Sequence, residues 1–162
     1  MSGKDTSKAA ELRELYRELI LDHARSPRHF GKLKDATHSA EGINPLCGDK
    51  LKMYFRILDN GQIDDARFEG SGCAISVASA SLLTDTVIGM STSEALHFFD
   101  AVISRLRGES DDNNGASTVI DLGKIRALEG VKEFPSRVKC ASLAWHALNS
   151  AIHQNTQTVS TE

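Results

Sequence analysis

Hydrophobic positions recur at two different periods along the chain, and the change of period separates helices from strands. In residues 11–23, leucines and an isoleucine recur at helical spacing between charged residues, which predicts an amphipathic helix. In residues 51–57 apolar side chains alternate with polar ones, which predicts a half-buried strand. Asn60-Gly61 supplies the residue pair that a tight hairpin favours, so residues 62–69 are predicted to return as a second strand.

The second half of the chain reads as helical. A Gly-Ser-Gly sequence ends the hairpin, and the run rich in Ala, Ser and Leu that follows it predicts a buried helix. Ser91 and Glu94 have the spacing of a capping box, and Ser136 is the predicted N-cap of the last helix. Helices are predicted over residues 73–89, 91–108, 123–128 and 136–153.

This order of elements predicts an α+β fold in which a small antiparallel sheet packs against several helices. Residues 28–44 are polar and aperiodic, so we expect mostly loop there, with at most a short edge strand. Residues 154–162 form a polar tail that is expected to fray. No linker or repeat divides the chain, which predicts one domain over residues 1–162 with its core in residues 11–153.

Composition narrows the function classes. The 162 residues carry 19 basic and 22 acidic side chains, a formal charge of −3, and no dense basic cluster, so nucleic acid and anionic membranes are not expected partners. No apolar run exceeds three residues, which argues against a transmembrane helix. The polar first residues do not resemble a signal peptide, so we expect a cytoplasmic protein.

Three cysteines, Cys47, Cys73 and Cys140, carry the candidate chemistry. An odd number without an export signal favours reduced thiols over disulfides. Cys47 shares a Pro- and Gly-containing turn with Asp49, so both side chains are expected to point outward. Cys73 and Cys140 fall at predicted helix starts, where free N–H groups would lower the thiol pKa.

These settings leave several chemistries open. Three thiols and a carboxylate suit a tetrahedral Zn²⁺ site or an iron–sulfur cluster. The spacing matches no compact zinc-finger pattern, so buried thiols remain an alternative, and a Cys-His-Asp triad has no supporting signature. His146 and His153 lie on other faces of the last helix than Cys140, and Trp145 is expected in the core or at a contact surface.

The segments around the three cysteines resemble the motifs of the IscU-like family, which includes the N-terminal domain of NifU and handles sulfur and iron–sulfur clusters. The matching segments are Asn-Pro-Leu-Cys-Gly-Asp at residues 44–49, Gly-Ser-Gly-Cys-Ala-Ile-Ser at 70–76 and Arg-Val-Lys-Cys-Ala-Ser-Leu-Ala-Trp at 137–145. The motifs occur in the family's order, and the resemblance runs from about residue 12 to residue 152. It implies an IscU-like fold.

Three departures resemble the SufU branch of that family rather than the cluster-scaffold branch. Lys139 stands where scaffolds have a histidine directly before the third cysteine. The preceding segment, residues 133–137, lacks the scaffolds' Leu-Pro-Pro-Val-Lys-like chaperone site. Extra residues are also present in the region of about 108–130. Members of the SufU branch bind zinc and receive sulfur from a pyridoxal-phosphate cysteine desulfurase of the SufS type.

The resemblance implies that Cys47, Asp49, Cys73 and Cys140 ligate one Zn²⁺, with Cys47 as the sulfur acceptor and Arg137 as a supporting residue. The implied partners are a SufS-type desulfurase and downstream cluster-assembly proteins. Two other functions remain open: a scaffold that assembles a [2Fe–2S] cluster on the same ligands, and a zinc-stabilised docking protein that carries no sulfur. Whether the chain is itself an enzyme is not decided by these residues.

Overall fold

The computed structural model describes residues 3–108, 122–155 and 157–161. Much of the extra segment at about 108–130 lies outside this part. The helices are α1 (Gly3–Arg25), α2 (Ala74–Val87), α3 (Thr92–Leu106), a 3₁₀ helix (Gly123–Val131) and α4 (Pro135–Ile152). The strands are β1 (His38–Asn44), β2 (Asp49–Ile57), β3 (Ile63–Ser71) and β4 (Val159–Ser160).

The strands form one sheet in the order β3-β2-β1-β4. The predicted α+β class is confirmed, as is the antiparallel hairpin of β2 and β3. The register shifts after Arg56, which pairs with Asp65, so that Ile57 pairs with Ile63 and Asp64 is left out as a bulge. The sheet is mixed rather than purely antiparallel, because β4 runs parallel to β1.

The predicted loop before β2 is in large part a strand. β1 pairs with β2 along its whole length, from His38 opposite Phe55 to Asn44 opposite Asp49. Its buried positions are Ala40, Gly42 and Asn44, two small residues and a polar one, so it lacks the apolar alternation of a typical strand.

Close packing against α4 explains the small residue in the middle of β1. A Cβ added to Gly42 would lie 2.9 Å from a methyl carbon of Leu143. A side chain at this position would therefore displace the Leu143 side chain from its place against the sheet.

The polar tail does not fray along its whole length. Val159 and Ser160 pair with Gly42 and Ile43, and the N–H of Thr161 donates to the Ile43 carbonyl at 3.2 Å. The prediction of a frayed tail was wrong for these residues, because the edge of β1 offers backbone partners that a local pattern does not reveal.

Helix α1 begins earlier than predicted, and only part of its apolar stripe is buried. Leu19 and Ile20 pack against the core, whereas Leu12 is 48% exposed and Leu15 is 61% exposed. The periodicity correctly predicts a helix but overstates how much of it the core covers.

Helix α3 has the predicted capping box, with Ser91 as N-cap bonded reciprocally to Glu94. Its buried face includes Ala95 and Phe98, whereas Leu96 and Phe99 are only half-buried. Phe98 stacks on Trp145 of α4 at a centroid distance of 5.7 Å.

Trp145 is fully buried, as expected, and its indole N–H donates to the Ser79 hydroxyl at 3.1 Å. That hydroxyl donates in turn to the Ala141 carbonyl at 2.6 Å. These hydrogen bonds join α2 to α4, and both helices pack on the sheet. This packing positions Cys140 next to the β1–β2 loop.

Candidate metal centre

The β1–β2 loop presents Cys47 at the surface. Asn44 and Asp49 face each other as the last pair of the two strands, and the N–H of Cys47 donates to the Asn44 carbonyl at 3.2 Å. Gly48 has a φ of +70°, a conformation that suits glycine and closes the turn. Cys47 is therefore exposed while its backbone is fixed from both sides.

Asp49 does not point outward as the sequence pattern suggests; only 2% of it is exposed. One carboxylate oxygen, Oδ1, accepts the backbone N–H of Cys73 at 2.8 Å. The other, Oδ2, accepts from the side-chain amide of Asn44 at 3.3 Å. The carboxylate is thus held between β1 and the start of α2.

The Gly-Ser-Gly segment at residues 70–72 makes room for this carboxylate. A Cβ on Gly72 would lie 2.5 Å from Oδ1 of Asp49 and 3.1 Å from its Cγ. Gly70 has a φ of +131°, and a Cβ there would lie 2.1 Å from the Lys50 carbonyl oxygen. Both glycines are needed because the backbone at the end of β3, and just beyond it, lies tightly against the start of β2.

Cys140 is 2% exposed and lies on α4, with its Sγ 3.1 Å from the Sγ of Cys47. Helix α4 begins at Pro135, with Phe134 rather than Ser136 as N-cap, so Cys140 lies in the second turn, beyond the free N–H groups. Burial raises the pKa of the Cys140 thiol, and hydrogen bonds with Cys47 and Cys73 raise it further. The predicted lowering of its pKa by a helix N-terminus was therefore wrong for Cys140.

Ligand atoms of Cys47, Asp49 and Cys140 all lie within 4.8 Å of one another. Cys73, half-exposed at the N-cap of α2, lies beside this group and donates its backbone N–H to Oδ1 of Asp49 at 2.8 Å, but its thiol is not among the ligand atoms within 4.8 Å. Of the four residues singled out from the sequence, the structure thus clusters the ligand atoms of three and places Cys73 at their border. Their role as metal ligands remains a prediction.

The donor set fits a metal ion. Thiolates and a carboxylate are ordinary tetrahedral ligands of Zn²⁺, and thiolates also hold iron–sulfur clusters. A bound cation would reverse the raised pKa of Cys140, since coordination favours the thiolate. The space left by the missing Cβ of Gly72 lets the Asp49 carboxylate reach the thiols.

Arg137 lies in the first turn of α4, with its guanidinium over the ring of Phe134, 4.7 Å from the ring centroid. It lines a cavity of about 400 Å³ together with Ala74, the residue after Cys73. Lys139 lines a different cavity, of about 480 Å³, with His146. Arg137 and Lys139 therefore face different surfaces on either side of the helix that carries Cys140.

Sequence reasoning missed one residue of the site, Asn44. It is fully buried, and its side-chain amide contacts both Asp49 and Cys140, the latter at 3.4 Å. The only signal was its position directly before Pro45 in the first cysteine segment.

The chain is similar to known proteins along most of its length. Residues 15–141 match the model of the NifU-like N-terminal domain. The chain is 41% identical over 143 residues to the zinc-dependent sulfurtransferase SufU of Bacillus subtilis (strain 168), covering 88% of this chain and 92% of that protein. It is 39% identical to the iron–sulfur cluster assembly scaffold protein IscU of Streptococcus pyogenes serotype M1, covering 90% of this chain and 87% of that protein.

A solved structure of similar fold is a putative iron–sulfur cluster assembly scaffold protein for the SUF system from Fervidobacterium islandicum AW-1. The TM-score is 0.74 at 36% identity, covering 83% of this chain and 94% of that one. In the described part of this chain, no helix has the length and apolarity needed to cross a membrane. The chain belongs to the NifU-like N-terminal domain family of iron–sulfur cluster assembly proteins, within which SufU and IscU proteins are its relatives.

Proposed function

We propose that this protein is a zinc-dependent sulfur acceptor that takes persulfide sulfur from a cysteine desulfurase for iron–sulfur cluster assembly. The observation that carries the proposal is the difference in exposure within one cluster. Cys47 is exposed, whereas Asp49 and Cys140, whose ligand atoms lie within 4.8 Å of its thiol, are buried. Such a cluster offers one thiol to a partner and keeps the others.

Cys47, Asp49, Cys73 and Cys140 would hold the ion. Zn²⁺ supplies a redox-inert positive charge that keeps thiolates deprotonated at neutral pH. The chain's own residues do the rest: buried Asp49 and Cys140 fix the inner side, and the turn at Gly48 leaves Cys47 accessible.

In the transfer step, the Cys47 thiolate attacks the outer sulfur of a persulfide on the donor protein. A sulfur–sulfur bond forms on Cys47 as the donor's own sulfur–sulfur bond breaks. The donor cysteine leaves as a thiolate and the outer sulfur stays on Cys47 as a persulfide. This is thiol–disulfide exchange chemistry, so no external oxidant or reductant is consumed.

The surface around Cys47 suits a protein donor. Leu46, directly before Cys47, is 66% exposed. An exposed apolar residue beside the acceptor thiol suits a protein contact, since such residues bury apolar surface when a partner docks. We propose a SufS-type, pyridoxal-phosphate-dependent desulfurase as the donor, downstream cluster-assembly proteins as recipients, and the cytoplasm as the compartment, since the three thiols are free.

The second candidate is a scaffold on which a [2Fe–2S] cluster is assembled. It is favoured by the similarity to proteins named as scaffolds, one of them 40% identical over 138 residues. Lys139 argues against it, because an ammonium group donates hydrogen bonds and does not readily ligate iron at neutral pH. Lys139 also lines the cavity on the side of His146.

Metal content and thiol titration separate these functions. Sulfur transfer predicts about one zinc per chain and thiols that become reactive once a chelator removes it. Iron together with acid-labile sulfide would favour the scaffold. Three freely reactive thiols and no metal would contradict both.

Replacing the acceptor tests the sulfur-transfer step itself. Cys47→Ala should end stimulation of the desulfurase while the fold persists, because the exposed side chain contributes little to the core. Leu58→Ala, at the far turn of the hairpin, is the matched surface control and should stimulate like the wild type. A Cys47→Ala protein that still stimulates fully would indicate a docking role without sulfur transfer.

A further inference from the structure

Asn44 touches three of the candidate ligand residues at once. It is the last residue of β1 and has no exposed surface. Its side-chain amide donates to Oδ2 of Asp49 at 3.3 Å and to Sγ of Cys140 at 3.4 Å. Its backbone carbonyl accepts the N–H of Cys47 at 3.2 Å.

The orientation of this amide is set by its neighbours. A carboxylate accepts hydrogen bonds and does not donate them, so the NH₂ group rather than the amide oxygen must face Asp49, and the same group reaches the sulfur of Cys140. As a result the amide oxygen, Oδ1, is buried without a hydrogen-bond partner among the described residues. An unpaired buried acceptor costs about 1–3 kcal/mol, so a purely structural asparagine would be a poor choice here.

The contacts of Asn44 divide the cluster into two parts. Asn44 holds the side chains of Asp49 and Cys140 through N–H donors, whereas it holds Cys47 only through the backbone, and the exposed Cys47 thiol contacts the Cys140 sulfur instead. A displacement of Cys47 therefore breaks no hydrogen bond to Asn44's side chain.

We propose that Asn44 is a positioning residue that keeps Asp49 and Cys140 as a fixed pair of ligands, so that the metal stays bound when Cys47 leaves to accept sulfur. This inference rests on the proposed metal site. Outer hydrogen-bond donors of this kind orient metal ligands and tune their electron donation. A donor to the Cys140 thiolate stabilises its lone pairs, which gives the site a spectroscopic signature besides affinity.

Cobalt(II) binding tests the proposal in the purified full-length protein, using the wild type, Asn44→Ala, Cys47→Ala and the double variant. Asn44→Ala should weaken Co²⁺ binding by about 10–100-fold. The thiolate-to-cobalt charge-transfer band should shift to lower energy, since the sulfur loses a donor. Cys47→Ala should retain the ion, and the double variant should lose more affinity than the two single losses multiplied together.

Two further variants separate positioning from general stability. Ser81→Ala removes a buried hydroxyl that is bonded to His23 and to the N–H of Arg28, away from the cluster. It should lower stability towards urea while leaving the cobalt band and affinity unchanged. Asn44→Ser keeps one donor group and should give an intermediate band shift, and it serves as the probe if Asn44→Ala does not fold.

The outcomes are distinguishable. An unshifted band with wild-type affinity in the Asn44 variants would overturn the role of Asn44 while leaving the metal site standing. A loss of affinity without a band shift, matched by Ser81→Ala, would also overturn it, because instability alone would then explain the loss. A wild-type protein that binds no Co²⁺ would overturn the metal site and this inference together.

Discussion

A methyl group added at residue 72 should disable the candidate metal centre although no ligand residue is replaced. The Cβ of Gly72→Ala would lie 2.5 Å from Oδ1, 3.1 Å from Cγ and 3.2 Å from Cβ of Asp49. The backbone of Gly72 lies outside the left-handed region, so alanine brings no conformational strain of its own there. The effect of the substitution therefore falls on the Asp49 carboxylate.

The displacement can be estimated from these distances. An ordinary contact between such atoms is about 3.5 Å, so the carboxylate must retreat by about 1 Å. Metal–ligand distances tolerate only about 0.2 Å, so Asp49 could no longer complete the same site. Its hydrogen bond from the Cys73 N–H, 2.8 Å long, would be strained or lost, at a cost of about 1–3 kcal/mol in stability.

Zinc affinity can be measured by competition with a chromophoric chelator. It should fall by about 10–100-fold or more, because loss of an outer-shell partner alone has an effect of that size. Gly130→Ala is the matched control, because a Cβ at that glycine meets no atom within 4 Å. Wild-type zinc affinity in Gly72→Ala would refute the conclusion that Asp49 must occupy this space to complete the site.

Three further predictions concern the fold. Burial lowers the pKa of His23, so the neutral form favours the folded state, and the free energy of unfolding should fall as the pH drops below about 6.5. His23→Gln should flatten this part of a pH series of urea-unfolding measurements. His153→Gln, at an exposed position, should not flatten it. Ser79→Ala leaves the Trp145 indole N–H without its acceptor and should cost about 1–3 kcal/mol with a change in tryptophan fluorescence; unchanged stability would contradict the role of this bond. Ser91→Ala removes the α3 capping box and should cost about 1 kcal/mol in urea unfolding, and a loss near zero would show that packing alone sets the start of this helix.

The parts of the fold that local pattern predicts are those whose signal is contained in a few adjacent residues. The β2–β3 hairpin follows from alternation and Asn60-Gly61, and α3 follows from its capping box. β1 could not be predicted in the same way, because its inward positions do not carry a run of apolar side chains. Gly42 allows close packing against α4, and Asn44 makes polar contacts. β4 is a strand only because the edge of β1 is available to it.

The candidate site also has features that local sequence predicts and features that depend on long-range packing. Cysteine motifs single out Cys47, Asp49, Cys73 and Cys140, and the structure clusters the ligand atoms of Cys47, Asp49 and Cys140 with Cys73 at their border. Burial of Asp49, the position of Cys140 in the second turn of α4 and the contacts of Asn44 depend on residues far apart in sequence. Packing between residues far apart in sequence decides which ligand is exposed, and no short stretch of sequence holds that information.

Sulfur transfer to Cys47 is the central claim, and mass spectrometry of the protein after reaction with a SufS-type desulfurase and cysteine tests it most directly. The account predicts the added mass of one sulfur atom on the peptide that contains Cys47, removed by a reductant and absent from Cys47→Ala. It also predicts that zinc stays bound after the transfer. Persulfide on Cys73 or Cys140 instead, or none on any cysteine while the desulfurase is stimulated, would contradict it.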